Sequence, residues 1–217
     1  MRIITLLLAL TITGFSFAQD NTKAKEILKE VATKYKTYPA VSINFIFTMD
    51  NAQEDISESS EGQAWMKDDK YKVILMGVET YFNGKTLWSY MPDAEEVNLS
   101  TPEPGSKNTF DPSSLFTSYE DGYKIRYKNE VFEHNRALHV IDLLPKTEDV
   151  KSSDFSRIRL KIDKDKKQIY QIIRYGKDGN DYTITLTRLN IEKNINENMF
   201  VYDKSKHPDV EIIDLRD

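Results

Sequence analysis

Three short stretches of this chain invite a chemical reading. Gly84-Lys85-Thr86 has the ending of a phosphate-binding loop. Asp163-Lys164-Asp165 has the opening of a calcium loop. His134 and His139 offer two imidazoles five residues apart. Each lacks what its chemistry requires. A phosphate loop needs glycine five places before Gly84, where Glu79 stands, and a helix afterwards, whereas Leu87-Trp88-Ser89-Tyr90 alternates like a strand. A calcium loop that starts at Asp163 needs glycine at its sixth place, which Gln168 occupies, so a charged hairpin turn is expected instead. Histidines five apart on a strand face opposite sides and do not make the helical two-histidine zinc pattern. They and His207 read as surface or hydrogen-bonded residues. No serine sits in a Gly-x-Ser-x-Gly elbow, and the absence of cysteine removes thiolate chemistry and disulfides. Asp and Glu are plentiful, but nothing selects a pair for acid–base work. The sequence therefore names no catalytic residue, no metal and no cofactor.

The remaining features are an export signal and a large amount of apolar β-structure. Arg2 supplies positive charge, Ile3 to Ile12 is almost wholly apolar, and Ser16-Phe17-Ala18 ends in a small-x-small pattern. Those are the three parts of a secretory signal, so residues 1–18 are expected to be cleaved and residues 19–217 to form one domain. Polar Gln19-Asp20-Asn21 cuts the apolar run short of the roughly 20 residues a spanning helix needs. With no cysteine at the cleavage point for lipid attachment, the expected product is soluble and periplasmic. The formal charge of −5 and the scatter of Lys and Glu along the chain argue against nucleic-acid binding, which needs clustered cations.

These features rest on a simple succession of elements. Ala24, Ile27, Leu28, Val31 and Tyr35 recur at helical spacing, with Asn21 or Thr22 as a cap and Tyr38-Pro39 as a stop. The period then becomes two: Val41, Ile43, Phe45 and Phe47 alternate with Ser42, Asn44, Ile46 and Thr48. A polar loop is expected over 50–60. Strands follow over 61–67, 71–76, 79–83, 86–91 and 95–100, joined by turn formers that include Asn83-Gly84. Pro102, Pro104 and Gly105 break the rhythm, and Asp111-Pro112-Ser113-Ser114-Leu115-Phe116 reads as a short helix. Strands resume over 123–127, 137–144, 155–162, 168–175 and 182–190, and the tail offers edge strands at 199–202 and 210–213. The fold class is mainly β with a few α-helices. The strands make one antiparallel sheet, too long to stay flat, curled into an incomplete, half-open barrel whose concave side the helices cover.

An apolar concavity follows from that curl, because a wide curved sheet does not fill its own hollow. Its candidate lining is Phe45, Phe47, Trp65, Val73, Leu75, Leu87, Trp88, Ile141, Leu143, Ile158, Leu160, Ile162, Ile184 and Leu186. Any one of these also reads as ordinary core.

The blocks Glu61-Gly62-Gln63-Ala64-Trp65-Met66-Lys67 and Asn83-Gly84-Lys85-Thr86-Leu87-Trp88-Ser89-Tyr90 carry a resemblance. With the capped helix before them, the short Asp111–Phe116 stretch and the strand ending in Leu144-Pro145-Lys146, the chain resembles the periplasmic carriers of outer-membrane lipoproteins. These are the A component of the lipoprotein-localisation system of Gram-negative bacteria. The resemblance implies a half-barrel that takes lipoprotein acyl chains from an inner-membrane ATP-driven exporter. In some bacteria it implies delivery to an outer-membrane receptor. Partners would then be acylated lipoproteins and that exporter, with the carrier acting as a monomer. The helices would serve as a lid, through Ile27, Leu28 and Val31 of the first and Leu115 and Phe116 of the second. One departure stands out. Many members follow Trp-x-Lys with an Arg-Pro whose arginine holds the lid, whereas here Lys67 precedes Asp68-Asp69, which leaves Lys67 or Lys70 as substitutes. Two other classes stay open at this level: an envelope hydrolase with an unidentified carboxylate pair, and an exported sensor that binds lipid or lipoprotein without moving it.

Overall fold

Phe15–Tyr35 form α1, the α-helix of a computed structural model that describes residues 15–102, 123–146 and 153–216. The helix begins before the Asn21 or Thr22 expected to cap it, since nothing between Phe15 and Thr22 is a glycine or proline that would stop it. It ends near the expected place: the N–H of Thr37 donates to the Lys34 carbonyl and that of Tyr38 to the Tyr35 carbonyl. Leu115 and Phe116, with the short helix expected around them, lie outside the described residues, as does most of the expected signal. Among the described residues no helix is long and apolar enough to cross a membrane.

Among the described residues twelve strands follow: β1 (Val41–Asn51), β2 (Ile56–Lys67), β3 (Lys70–Leu75), β4 (Val78–Phe82), β5 (Leu87–Met91) and β6 (Glu96–Ser100). Then come β7 (Tyr123–Glu133), β8 (Arg136–Pro145), β9 (Phe155–Asp163), β10 (Gln168–Gly176), β11 (Asp181–Ile191) and β12 (Glu211–Asp214). They form one open sheet in the order β12-β6-β5-β4-β3-β2-β1-β11-β10-β9-β8-β7. Laid flat, twelve strands would extend about 55 Å, and a twisted sheet of that width curls. β7 and β12 are its two edges, so it does not close. Every pairing is antiparallel except the last, in which β12 runs parallel to β6.

Two element expectations need correction. The span expected as a loop over 50–60 is mostly hairpin: β1 runs to Asn51 and β2 starts at Ile56. Its polar side chains gave no apolar alternation, yet the pairs Thr48↔Ser59 and Asp50↔Ser57 continue the ladder, and the Ser57 hydroxyl donates to Asp50 at 2.6 Å. The stretch 199–202 is not a strand; Glu197–Phe200 is a 3-10 turn started by the Asn196 side chain, which accepts from the Asn198 N–H. Among the described residues α1 is the α-helix on the sheet, and the second expected helix lies outside them.

The turns follow local chemistry. Gly84 has φ +92, and the Asn83 side chain accepts from the N–H groups of Lys85 and Thr86. Gly84-Lys85-Thr86 is thus the turn from β4 into β5. The Asp163 carboxylate accepts from the N–H groups of Asp165 and Lys166 and from Arg136, closing the β9–β10 turn.

Candidate functional site

Side chains on α1 form one buried stripe: Ala24, Leu28, Val31 and Tyr35. The spacing of four, three and four residues keeps them on a single face of the helix. The stripe belongs to one apolar cluster with both halves of the sheet. Ile43, Phe45, Ala64, Met66, Tyr71 and Val73 come from β1–β3. Ile125, Ile141, Leu143, Leu160, Ile162, Ile169 and Ile172 come from β7–β10. Of the residues expected to line a hollow, Phe45, Val73, Ile141, Leu143, Leu160 and Ile162 are fully part of this core. Phe47, Leu75, Leu87, Ile158, Ile184 and Leu186 pack against the same cluster but remain half-exposed, as does Ile27 on the helix. An apolar margin therefore flanks α1 on the face that the helix covers.

Trp65 and Trp88 do not belong to it. Cross-strand pairing places Trp65, Lys72, Tyr81, Trp88 and Leu99 in one row. Ala64 and Met66, the neighbours of Trp65, point into the core, so a period of two sends Trp65 to the opposite face. There Tyr81, Tyr90 and Val97 form a second cluster with Tyr202 and Val210 of the tail, against which Trp88 and Leu99 pack. The ring of His207 lies over that of Tyr202, and the Lys72 ammonium sits 4.6 Å from the centre of the Tyr81 ring. This corrects the expectation that both line the hollow: tryptophan is large enough to serve either face, and strand register sends both to the outer one. A recess of about 560 Å³ also lies on this opposite face, lined by Asn44, Ile46, Glu61, Gln63, Ile74 and Arg188 among others. Its wall is mixed, with Glu61, Gln63 and Arg188 beside Phe45, Ile46 and Ile74.

Gly62 explains a packing feature that the sequence left unread. It pairs with Phe45 across β1 and β2, and the phenyl ring covers it so closely that a Cβ there would lie 2.3 Å from the ring. The glycine lets the aromatic ring lie flat on the sheet under α1.

Polar contacts fasten α1 at both ends. Near its start, the Lys23 ammonium donates to the Tyr127 hydroxyl at 3.0 Å and lies 3.4 Å from Glu130. Glu130 also accepts from Lys164, and the Tyr127 hydroxyl meets His139 Nδ1 at 3.1 Å. The Lys164 hydrogen bond, seconded by Lys23, holds the Glu130 carboxyl down at about 2. Burial lowers the His139 imidazole below its ordinary value. Near its end, Glu30 pairs with Lys167 at 3.0 Å and Lys34 donates to the Lys166 carbonyl. Lys67 and Lys70, the expected substitutes for a lid-holding arginine, do something else. Both pair with Glu197 and so tie the tail to the β2–β3 turn. Their hydrogen bonds, that of Lys67 first, hold the Glu197 carboxyl down at about 2.

The family model described as outer membrane lipoprotein carrier protein LolA matches residues 15–163. No curated protein matches the chain in sequence. Among solved structures, the chain is similar to an uncharacterised conserved protein from Thermus thermophilus, with 14% identity and a TM-score of 0.57 over 88% of this chain and 99% of that one. It is similar to a DUF1329 family protein from Desulfovibrio piger, with 12% identity and a TM-score of 0.50 over 87% and 99% of the two chains. It also matches a putative outer membrane lipoprotein-sorting protein domain from Vibrio parahaemolyticus, with 15% identity and a TM-score of 0.48 over 83% and 97%.

Proposed function

Since the chain belongs to the family of the outer membrane lipoprotein carrier protein LolA, we propose that it binds lipoprotein acyl chains on the helix-covered face of its sheet and carries them across the periplasm. The observation that supports this most is the half-exposed apolar margin of Phe47, Leu75, Leu87, Ile158, Ile184 and Leu186 beside α1. Each methylene withdrawn from water is worth about 0.8 kcal/mol, so one long acyl chain carries on the order of 10 kcal/mol. A carrier must match most of that and still release. Here α1 already covers part of the apolar face, and cargo gains only the difference between its own contacts and those of the helix it displaces. Binding is then moderate, as handover requires. The cargo arrives from an inner-membrane ATP-driven exporter and passes on at the outer membrane. The reading is one of binding without turnover.

Purification from native envelopes followed by mass spectrometry tests the reading. Acylated proteins should copurify with the wild type, and much less with Ile184→Glu, which places a charge in the apolar margin. Equal recovery with both proteins, or turnover of lipid esters by the purified chain, would refute it.

A further inference from the structure

The face of the sheet opposite α1 carries a compact group of cations over β7–β9. Register places Arg126, Asp142 and Arg159 in one cross-strand row and Lys124 with Leu144 in the next. Arg157 lies two residues from Arg159 on the same face, paired with Tyr175 of β10. Ile158 and Leu160 between and beside them point into the core, which fixes the direction of the arginines as outward. Four cations thus stand at spacings of about 7 Å along the strands and about 10 Å across them. Asp142 is the one carboxylate in their midst among the described residues, and Arg159 holds it with two hydrogen bonds of 2.7 and 3.0 Å. Asp181 lies beyond Tyr175 at the margin. Lys124 and Arg126 are exposed, and the structure gives them no ion pair among the described residues. Arg157 stacks over the Tyr175 ring at 3.9 Å, and its buried Nε has no hydrogen-bond partner.

The chain as a whole is acidic, at −5. Within a Debye length of about 10 Å, however, an approaching surface feels the local group rather than the sum. We propose that this face docks the protein on membranes through the phosphate groups of anionic lipids. Three observations favour a lipid surface. The cations fan over a sheet face instead of converging, as a discrete anion would need. Neither recess seen among the described residues is lined by any of the four, as a peptide groove would be. Two of the four, the exposed Lys124 and Arg126, arise from the edge strand β7. The choice of a membrane over an acidic protein rests on the carrier reading above, since such a protein must visit membranes. Docking by this face leaves α1 and its apolar margin free for cargo.

The test is cosedimentation of the full, cargo-free protein with vesicles. One set contains phosphatidylglycerol and phosphatidylethanolamine, the other phosphatidylcholine alone. The wild type should bind the anionic vesicles only and leave them as salt rises to about 0.3 M. Each basic residue near an anionic surface contributes about fivefold in affinity, so Lys124→Ser with Arg126→Ser should weaken binding about thirtyfold. Lys36→Ser with Lys193→Ser, which removes the same charge elsewhere, should keep it. Both double variants should retain the wild-type melting temperature, since all four residues are exposed. Absent binding to anionic vesicles, or equal loss in both double variants, overturns the proposal. Displacement by millimolar inorganic phosphate would show a discrete phosphate site instead. Binding to polyglutamate without vesicle binding would show an acidic protein partner, and either result also overturns it. Copurification of acylated cargo is read separately on Lys124→Ser with Arg126→Ser. Intact cargo with lost vesicle binding supports the docking face, and lost cargo in the wild type strikes only the carrier reading.

Discussion

Gly62 shows how one missing methyl group shapes the helix-covered face. Its Cβ would intrude on Phe45, and Phe45 is held between the sheet and the α1 cluster. Gly62→Ala should therefore cost about 1–3 kcal/mol through overpacking, read as a fall in melting temperature of about 2–4 °C per kcal/mol. Ile141, fully buried, marks the opposite case: Ile141→Ala leaves a void and should cost about 2–5 kcal/mol. A half-exposed neighbour such as Ile184 should lose much less on the same change, and a comparison of the two by denaturant unfolding checks the ordering. The importance of Phe45 was legible in its alternation with Ser42 and Asn44, whereas the role of Gly62 was not. A glycine within a strand announces some close approach without saying what approaches.

At the scale of elements, α1 and the tail are each fastened by ion pairs and held by apolar packing, and the magnitudes say which matters. Exposed pairs such as Glu197 with Lys67 and Lys70 contribute little to stability, because water screens them. Glu197→Gln should leave the melting temperature nearly unchanged, while Tyr202→Ala, which empties the second cluster, should lower it clearly and expose Tyr81 and Tyr90 to a hydrophobic dye. The α1 fastening depends on pH. Glu130 titrates lower in the folded protein than in the unfolded chain, so its contribution is full above the ordinary carboxylate range and fades as pH falls through that range toward about 2. His139 is also lowered, so it too stabilises the folded form above its ordinary value and loses that contribution on acidification. Amide hydrogen exchange across α1, corrected for intrinsic rates, should show weaker protection at pH 5 than at pH 7, from His139, and a further loss below pH 4, from Glu130. Equal protection throughout would count against the polar fastening. The helix itself was visible as a 3.6-residue period. Its partners were not, because Lys23 and Glu130 are 107 residues apart and charged residues are common everywhere on this chain.

At the scale of the whole molecule, an open sheet holds an apolar face that α1 only partly covers, while a tail seals part of the other face. A ligand that binds only the folded form stabilises it, by about 2.7 kcal/mol at a hundred times its dissociation constant. A monoacylated peptide should accordingly raise the melting temperature, and the unacylated peptide should not. The sequence by itself determined most of the succession of strands, the amphipathic helix and the family, because periods of two and 3.6, turn residues and motif spacing are local properties of the chain. Only the tertiary structure decided that Trp65 and Trp88 turn away from the helix, that Lys67 and Lys70 anchor the tail, and that cations from β7 and β9 gather on one outer patch. Which face a large amphipathic ring serves, and which charges become neighbours, depend on strand register and on what packs against each face, and those are set by contacts between residues far apart in the chain.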